Sequence, residues 1–204
     1  MTAPVYRFIP NDLTRPPLLL LHGTGGSVKD LLPIGRFLAP RSPLLALAGR
    51  VVENGQRRFF AHHPDGSPDL TSVACERDWL VATVAALSAQ YQLDLSRLIA
   101  VGYSNGANLI SHTLLTRPVP WLGAVLLHGT LVTPVPQPQP LAGRAVFASF
   151  GTHDPRISAA AFTGLVATLR RAGATVNVHQ HDQRHNLNGP ELKAAQAWIA
   201  ARGR

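Results

Sequence analysis

The sequence predicts an α/β fold in which a mostly parallel central sheet is flanked by helices. Three observations predict it. Short runs of uninterrupted apolar residues recur along the 204-residue chain, helix-periodic segments separate them, and most runs end at a glycine. A run that is apolar at every position, not at alternate ones, fits a strand covered on both faces, as parallel strands are. Strand and helix in alternation along one chain mark the α/β class.

The elements follow in order. Leu18–Leu21 is the first run, followed by Gly23. Residues 28–38 place Leu31, Leu32, Ile34 and Leu38 near one helical face. Residues 43–48 form the second run, closed by Gly49. Residues 51–71 read as a long loop, because they carry Gly55, Pro64, Gly66 and Pro68. Residues 77–91 set Leu80, Val84, Leu87 and Tyr91 at helical spacing. Residues 98–101 are a third run, ended by Gly102, and a helical pattern covers 107–115. Residues 124–127 and 145–149 are further runs, ended by Gly129 and Gly151. Between them, residues 133–140 place proline on alternate positions, which forbids helix and predicts an extended surface connection. A helix over 159–172, a strand over 175–178 and a helix over 190–201 complete the chain. The last helix opens at Asn188-Gly-Pro-Glu191, a polar cap followed by an early proline. No repeat or linker divides the sequence, so residues 1–204 read as a single domain.

Composition narrows the function classes. No apolar run approaches the ~18 residues of a membrane span. The N-terminal Met-Thr-Ala-Pro lacks the basic-then-apolar pattern of a signal peptide, so a cytoplasmic location is expected. Cys75 is the only cysteine, which rules out an intrachain disulfide and predicts a buried small side chain. The net charge is +8, yet the arginines are scattered and lysine occurs only at positions 29 and 193. Nothing forms a basic run or a basic-aromatic alternation, so no nucleic-acid partner is expected.

The chemistry concentrates at three places. Gly102-Tyr-Ser-Asn-Gly106 matches G-x-S-x-G, with an apolar strand running into it and a helical pattern following. That strand–turn–helix setting is the one a nucleophile elbow requires. The turn is so sharp that only small residues fit two places before and after the serine, and it lifts the Ser104 hydroxyl above the sheet. It also aims the Asn105 amide at the space where an oxyanion forms. His22-Gly-Thr-Gly-Gly26 follows the first strong strand. A loop there supplies the second oxyanion amide, and Thr24 holds the matching position. A nucleotide loop is excluded, since Val28 replaces the third glycine of G-x-G-x-x-G and no Gly-Lys-Ser/Thr follows. His22 is expected to brace the loop.

The acid and base come from chain order. In this arrangement the serine precedes the carboxylate, which precedes the histidine. Only Asp154, Asp182 and Glu191 follow Ser104 as acids. Asp154 comes just after a strand end, on the expected rim, whereas Asp182 stands three residues from His185, too near in sequence to orient its ring. His128 precedes Asp154, and His112 sits in the helix after the serine. His185, in the loop before the last helix, is the expected base, ahead of His179 and His181. The spacing His179-x-His181-x-x-x-His185 offers a metal reading, but it lacks HExxH and CxxC and carries Arg184, so no metal is expected. In the long loop, Arg58, Phe59 and Phe60 have two readings. They border the substrate pocket, with Arg57 or Arg58 holding a carboxylate, or they form an ion pair to Glu53 or Asp65 above core phenylalanines.

These segments resemble the phospholipase/carboxylesterase family of small bacterial α/β-hydrolases, closest to its hydroquinone-type hydrolase and carboxylesterase branch. The resemblance rests on Leu20-Leu-His-Gly-Thr-Gly-Gly26, Asp30-Leu-Leu-Pro33, Gly49-Arg-Val-Val-Glu-Asn-Gly55, Arg58-Phe-Phe60, Gly102-Tyr-Ser-Asn-Gly-Ala-Asn108, Gly151-Thr-His-Asp-Pro155 and His185-Asn-Leu187. It implies an α/β-hydrolase fold without a large cap domain, often a homodimer, acting on small-molecule esters of modest acyl size without a cofactor. It places Ser104, Asp154 and His185 on the triad and Thr24 and Asn105 on the oxyanion hole. Arg184 departs from the glycine that the family usually has before its catalytic histidine. Thioester or lactone hydrolysis on the same three residues, and a catalytically silent binding protein, are the alternatives.

Overall fold

The structure, a computed structural model, describes residues 3–202. Its strands are β1 (Tyr6–Ile9), β2 (Leu18–Leu21), β3 (Leu44–Leu47), β4 (Val51–Glu53), β5 (Gln56–Arg58), β6 (Ile99–Tyr103), β7 (Gly123–Leu127), β8 (Ala145–Gly151) and β9 (Thr175–His181). Its α-helices are α1 (Leu32–Leu38), α2 (Leu70–Gln90), α3 (Asn105–Thr116), α4 (Ala159–Arg171) and α5 (Gly189–Ala200). Seven strands form one sheet in the order β1-β3-β2-β6-β7-β8-β9, and β4 and β5 form a separate pair. Only β1 runs antiparallel to its neighbour; the other six strands are parallel.

The apolar runs are continuous because consecutive residues serve opposite faces. Leu19, Leu21, Leu45, Leu47, Ala100 and Leu126 pack in one cluster with Val73, Leu80 and Val84 of α2 and Leu109 and Ile110 of α3. Their neighbours Leu18, Leu20, Leu44, Ala46, Ile99 and Val101 pack in the other with Leu38 of α1 and Trp198 and Ile199 of α5. All these strand side chains are buried. The sheet is thus the middle layer of three, and the carboxyl ends of β2, β6, β7, β8 and β9 share one rim.

Three elements differ from the expectation. β1 is a strand that its mixed Tyr-Arg-Phe-Ile sequence conceals, since it lies at the sheet edge and is only partly buried. Residues 51–71 contain a hairpin, β4 paired with β5, turned at Asn54 and Gly55. Both turn residues have positive φ, 49° and 73°, as a two-residue hairpin turn demands. Helix α2 starts at Leu70, where the Asp69 carboxylate caps the amides of Thr71 and Ser72. Cys75, expected to be buried, is exposed. Among the described residues no helix is long and apolar enough to cross a membrane.

Candidate active site

Ser104 stands between β6 and α3 with φ +52° and ψ −115°, a conformation a non-glycine residue adopts only under constraint. The constraint is backbone packing. A Cβ on Gly102 would lie 2.6 Å from the Ala107 nitrogen, and one on Gly106 would lie 2.3 Å from the Leu21 carbonyl oxygen. No side chain fits at either place, so the two glycines let the elbow press against β2 and α3. The serine amide is tied across the sheet to the Leu127 carbonyl at 2.9 Å.

The row of side chains is complete on this rim. Ser104 Oγ lies 2.9 Å from His185 Nε2, and His185 Nδ1 lies 2.6 Å from Asp154 Oδ2. An ionised carboxylate only accepts, so Nδ1 carries the proton, Nε2 offers its lone pair, and the serine hydroxyl donates to it. Asp154 is held by more than His185. Its Oδ1 accepts the amides of Arg156 and Ile157 at 2.8 and 3.2 Å, and its Oδ2 also accepts from His128 Nδ1 at 3.0 Å. Burial pushes the Asp154 carboxyl up, but the hydrogen bonds from His128 and His185 outweigh it and hold it below the ordinary carboxylate value. Burial depresses His185 below the ordinary histidine value; Asp154 opposes this, and the charges of His128 and Arg156 add to it. At neutral pH the ring is therefore an available base.

The loop after β2 lies against the elbow. A Cβ on Gly23 would meet the Tyr103 ring at 2.9 Å, and the His22 carbonyl oxygen lies 2.6 Å from the Cβ position of Gly106. The buried His22 ring braces this loop: Nε2 accepts the Gly49 amide at 3.1 Å, and Nδ1 donates to the Gly23 carbonyl at 2.6 Å. Burial keeps the ring neutral, as that double role requires. Asn105 is the first residue of α3, where helix amides are unpaired and the macrodipole favours negative charge. Its side-chain oxygen accepts the Phe59 amide at 2.6 Å and so ties the hairpin to the elbow.

Phe59 and Phe60 do not line a substrate site. They are 0% and 1% exposed and belong to the core beneath the sheet, because the chain turns inward as it leaves β5 toward α2. Arg58 is committed within the protein, donating to Glu53 at 2.9 Å and lying 2.8 Å from His62 Nδ1. Asp65 instead holds Ser67.

Four residues enter the site besides the three of the row. The Tyr103 hydroxyl donates to the His185 carbonyl at 2.7 Å, anchoring the loop that carries His185. His128, fully buried at the end of β7, shares Asp154 with His185. Glu191, in the first turn of α5, is also fully buried, with Oε1 3.3 Å from His128 Nε2. His181 adds its Nε2 at 3.4 Å from the same nitrogen. Ligand-type atoms of His128, His181 and Glu191 gather within 4.8 Å, as do those of His128, Asp154 and His185. In the second group the Nδ1 atoms of His128 and His185 already serve Asp154; in the first, His181 Nδ1 accepts the Gln183 amide at 3.2 Å, while its Nε2, His128 Nε2 and Glu191 Oε1 face one another.

The chain is similar to several known proteins. A family model described as Phospholipase/Carboxylesterase matches residues 76–202. The protein MhqD of Bacillus subtilis (strain 168) is 36% identical over 89% of this chain and 90% of its own length. The crystal structure of the Bacillus cereus carboxylesterase superposes with a TM-score of 0.94 at 34% identity, covering 98% of this chain and 94% of that one. A structure of YahD with malic acid gives 0.95 at 31% identity, covering 98% and 100%.

Proposed function

The chain belongs to the phospholipase/carboxylesterase family and is a carboxylesterase-like hydrolase of the α/β-hydrolase fold; from that premise we propose that it cleaves small to medium carboxylic esters through an acyl-enzyme on Ser104. The observation that carries this reading is the hydrogen-bonded row from Ser104 Oγ through His185 to Asp154, at 2.9 and 2.6 Å.

In this mechanism His185 Nε2 takes the hydroxyl proton as Ser104 Oγ attacks the ester carbonyl carbon. The developing oxyanion is met by the backbone amides of Thr24 and Asn105, each worth ~3–4 kcal/mol in such a role. Asp154 holds the Nδ1 proton and stabilises the imidazolium. His185 then gives its proton to the leaving alkoxide, and the acyl group stays on Ser104. A water molecule, deprotonated by the same ring, releases the carboxylic acid and restores the serine.

One feature of the fold supports a modest substrate size. Among the described residues the strand ends carry only loops and the β4–β5 hairpin, with no cap domain to build a long acyl channel. The test is turnover of p-nitrophenyl esters from acetate to decanoate. Acetate and butyrate are expected to lead, and Ser104→Ala to lose ~10⁴-fold or more in kcat. Full activity in that variant refutes the assignment.

A further inference from the structure

We propose that His128 and Glu191 are positioning residues that extend the row from Ser104: the buried His128 ring, held by Glu191, fixes the Asp154 carboxylate and governs the pH range over which His185 acts as a base. The proposal rests on the reading of Ser104, His185 and Asp154 given above.

Asp154 Oδ2 takes two ring nitrogens, His185 Nδ1 at 2.6 Å and His128 Nδ1 at 3.0 Å. Both must donate, so His128 presents Nδ1–H to Asp154. The other side of that ring faces a second carboxylate, Glu191 Oε1 at 3.3 Å, and all three side chains are 0% exposed. Two buried carboxylates with a neutral ring between them would leave two uncompensated negative charges; a proton on His128 removes one of them. Burial alone would depress His128, yet the hydrogen bonds and charges of Glu191 and Asp154 outweigh it and hold the ring above the ordinary histidine value. Glu191 is correspondingly held below its ordinary value, against burial, chiefly by His128.

The local backbone fits a residue kept for this contact. His128 has φ +52°, a conformation that costs a non-glycine residue energy and recurs at functional sites. Its amide is fixed to the Ser149 carbonyl at 3.1 Å, and its ring stands edge-on to His185 with centroids 5.1 Å apart. Glu191 is equally fixed: its carboxylate accepts the Asn188 amide at 3.3 Å while the Asn188 side chain accepts the Glu191 amide at 2.9 Å, a closed capping box.

The charged and titratable groups around His128 come from every neighbouring element. Tyr103 lies on β6, Asp154 and Arg156 after β8, His179 and His181 on β9, Asp182 and His185 in the loop beyond it, and Glu191 on α5. His181 is pushed down by burial and is neutral at working pH, with Nε2 3.4 Å from His128 Nε2 and 3.9 Å from Glu191 Oε2. A positive His128 beside His185 disfavours a second positive charge there, so its loss raises the proton affinity of His185.

Two measurements test this. In the unaltered protein with 15N-labelled histidine, the ring signals of His128 are expected to report both nitrogens protonated at about pH 7.5, while His185 is neutral. A neutral His128 at that pH overturns the proposal. The second is the pH dependence of kcat/KM for His128→Asn and for the double variant His128→Asn/Glu191→Gln. Asparagine tolerates positive φ and keeps one donor for Asp154, and the double variant leaves no stranded carboxylate. In His128→Asn the acid limb is expected to move up by about half a pH unit or more, with kcat about tenfold lower and KM within about twofold. The double variant shifts the limb in the same direction by less. A folded variant with an unmoved limb and unchanged kcat overturns the proposal, and if neither variant folds, the ring signals decide. Ser104→Ala run alongside separates the two claims, since retained turnover there refutes the nucleophile and not the protonation of His128.

Discussion

Replacing Asp154 by asparagine changes one atom and is expected to cost ~10⁴-fold in kcat, or about 5.5 kcal/mol. The magnitude follows from where the four donors fall. Oδ1 accepts two backbone amides, at 2.8 and 3.2 Å, and Oδ2 accepts two ring nitrogens, at 2.6 and 3.0 Å. An asparagine can keep its oxygen toward Arg156 and Ile157 only by turning its NH₂ toward the rings. His185 relieves that clash by shifting its proton to Nε2, and Nε2–H then faces Ser104 as a donor. The row keeps its shape and loses its base. With the amide flipped, the NH₂ instead meets two backbone N–H groups that cannot move. The assay is kcat on p-nitrophenyl butyrate near pH 8, beside a near-UV circular dichroism spectrum to establish that the variant is folded. A folded Asp154→Asn protein within tenfold of the parent kcat would refute the argument from tautomers.

Other outcomes follow from the same contacts. Gly106→Ala puts a methyl 2.3 Å from the Leu21 carbonyl oxygen; urea unfolding is expected to show a loss of at least ~2 kcal/mol, from overpacking against backbone. Tyr103→Phe removes the bond to the His185 carbonyl, and kcat/KM should fall about three- to tenfold, which is ~1 kcal/mol. Phe60→Ala opens a cavity in the core, so stability should fall by ~3–5 kcal/mol while KM stays unchanged; a large rise in KM would restore the pocket reading. Because His185 must be neutral to act and is held below the ordinary histidine value of 6.5, activity should persist as pH falls through that value and decline only below it. A midpoint above 7 in a kcat/KM profile would contradict that sign.

Five parallel strands were legible because burial on both faces writes them as continuous apolar runs, as in Leu18–Leu21; β9, at the other sheet edge, is mostly exposed, and only its first half, Thr175–Val178, was legible. Tyr6–Ile9 carries no such run, since an edge strand buries one side. The β4–β5 hairpin did advertise itself through Asn54-Gly55, but the nearby prolines and glycines made the whole segment look like loop. Ser104, Asp154 and His185 could be ordered from sequence because elbow, strand end and final loop each have a local signature. Phe59 and Phe60 could not be assigned, since an apolar pair after a strand reads the same in a pocket wall and in a core. His128 and Glu191 were hidden for another reason. A three-role template assigns one histidine and one acid, and leaves a second of each looking like a strand terminus and a helix cap. Only the shared Oδ2 of Asp154 and the burial of Glu191 reveal their link.

The most direct measurement is mass spectrometry of the intact protein and its peptides after reaction with a fluorophosphonate. The account predicts one adduct per chain, on the peptide that carries Ser104, and none in the His185→Ala variant over the same interval. A folded protein that stays unlabelled, or one labelled at another serine, would contradict it.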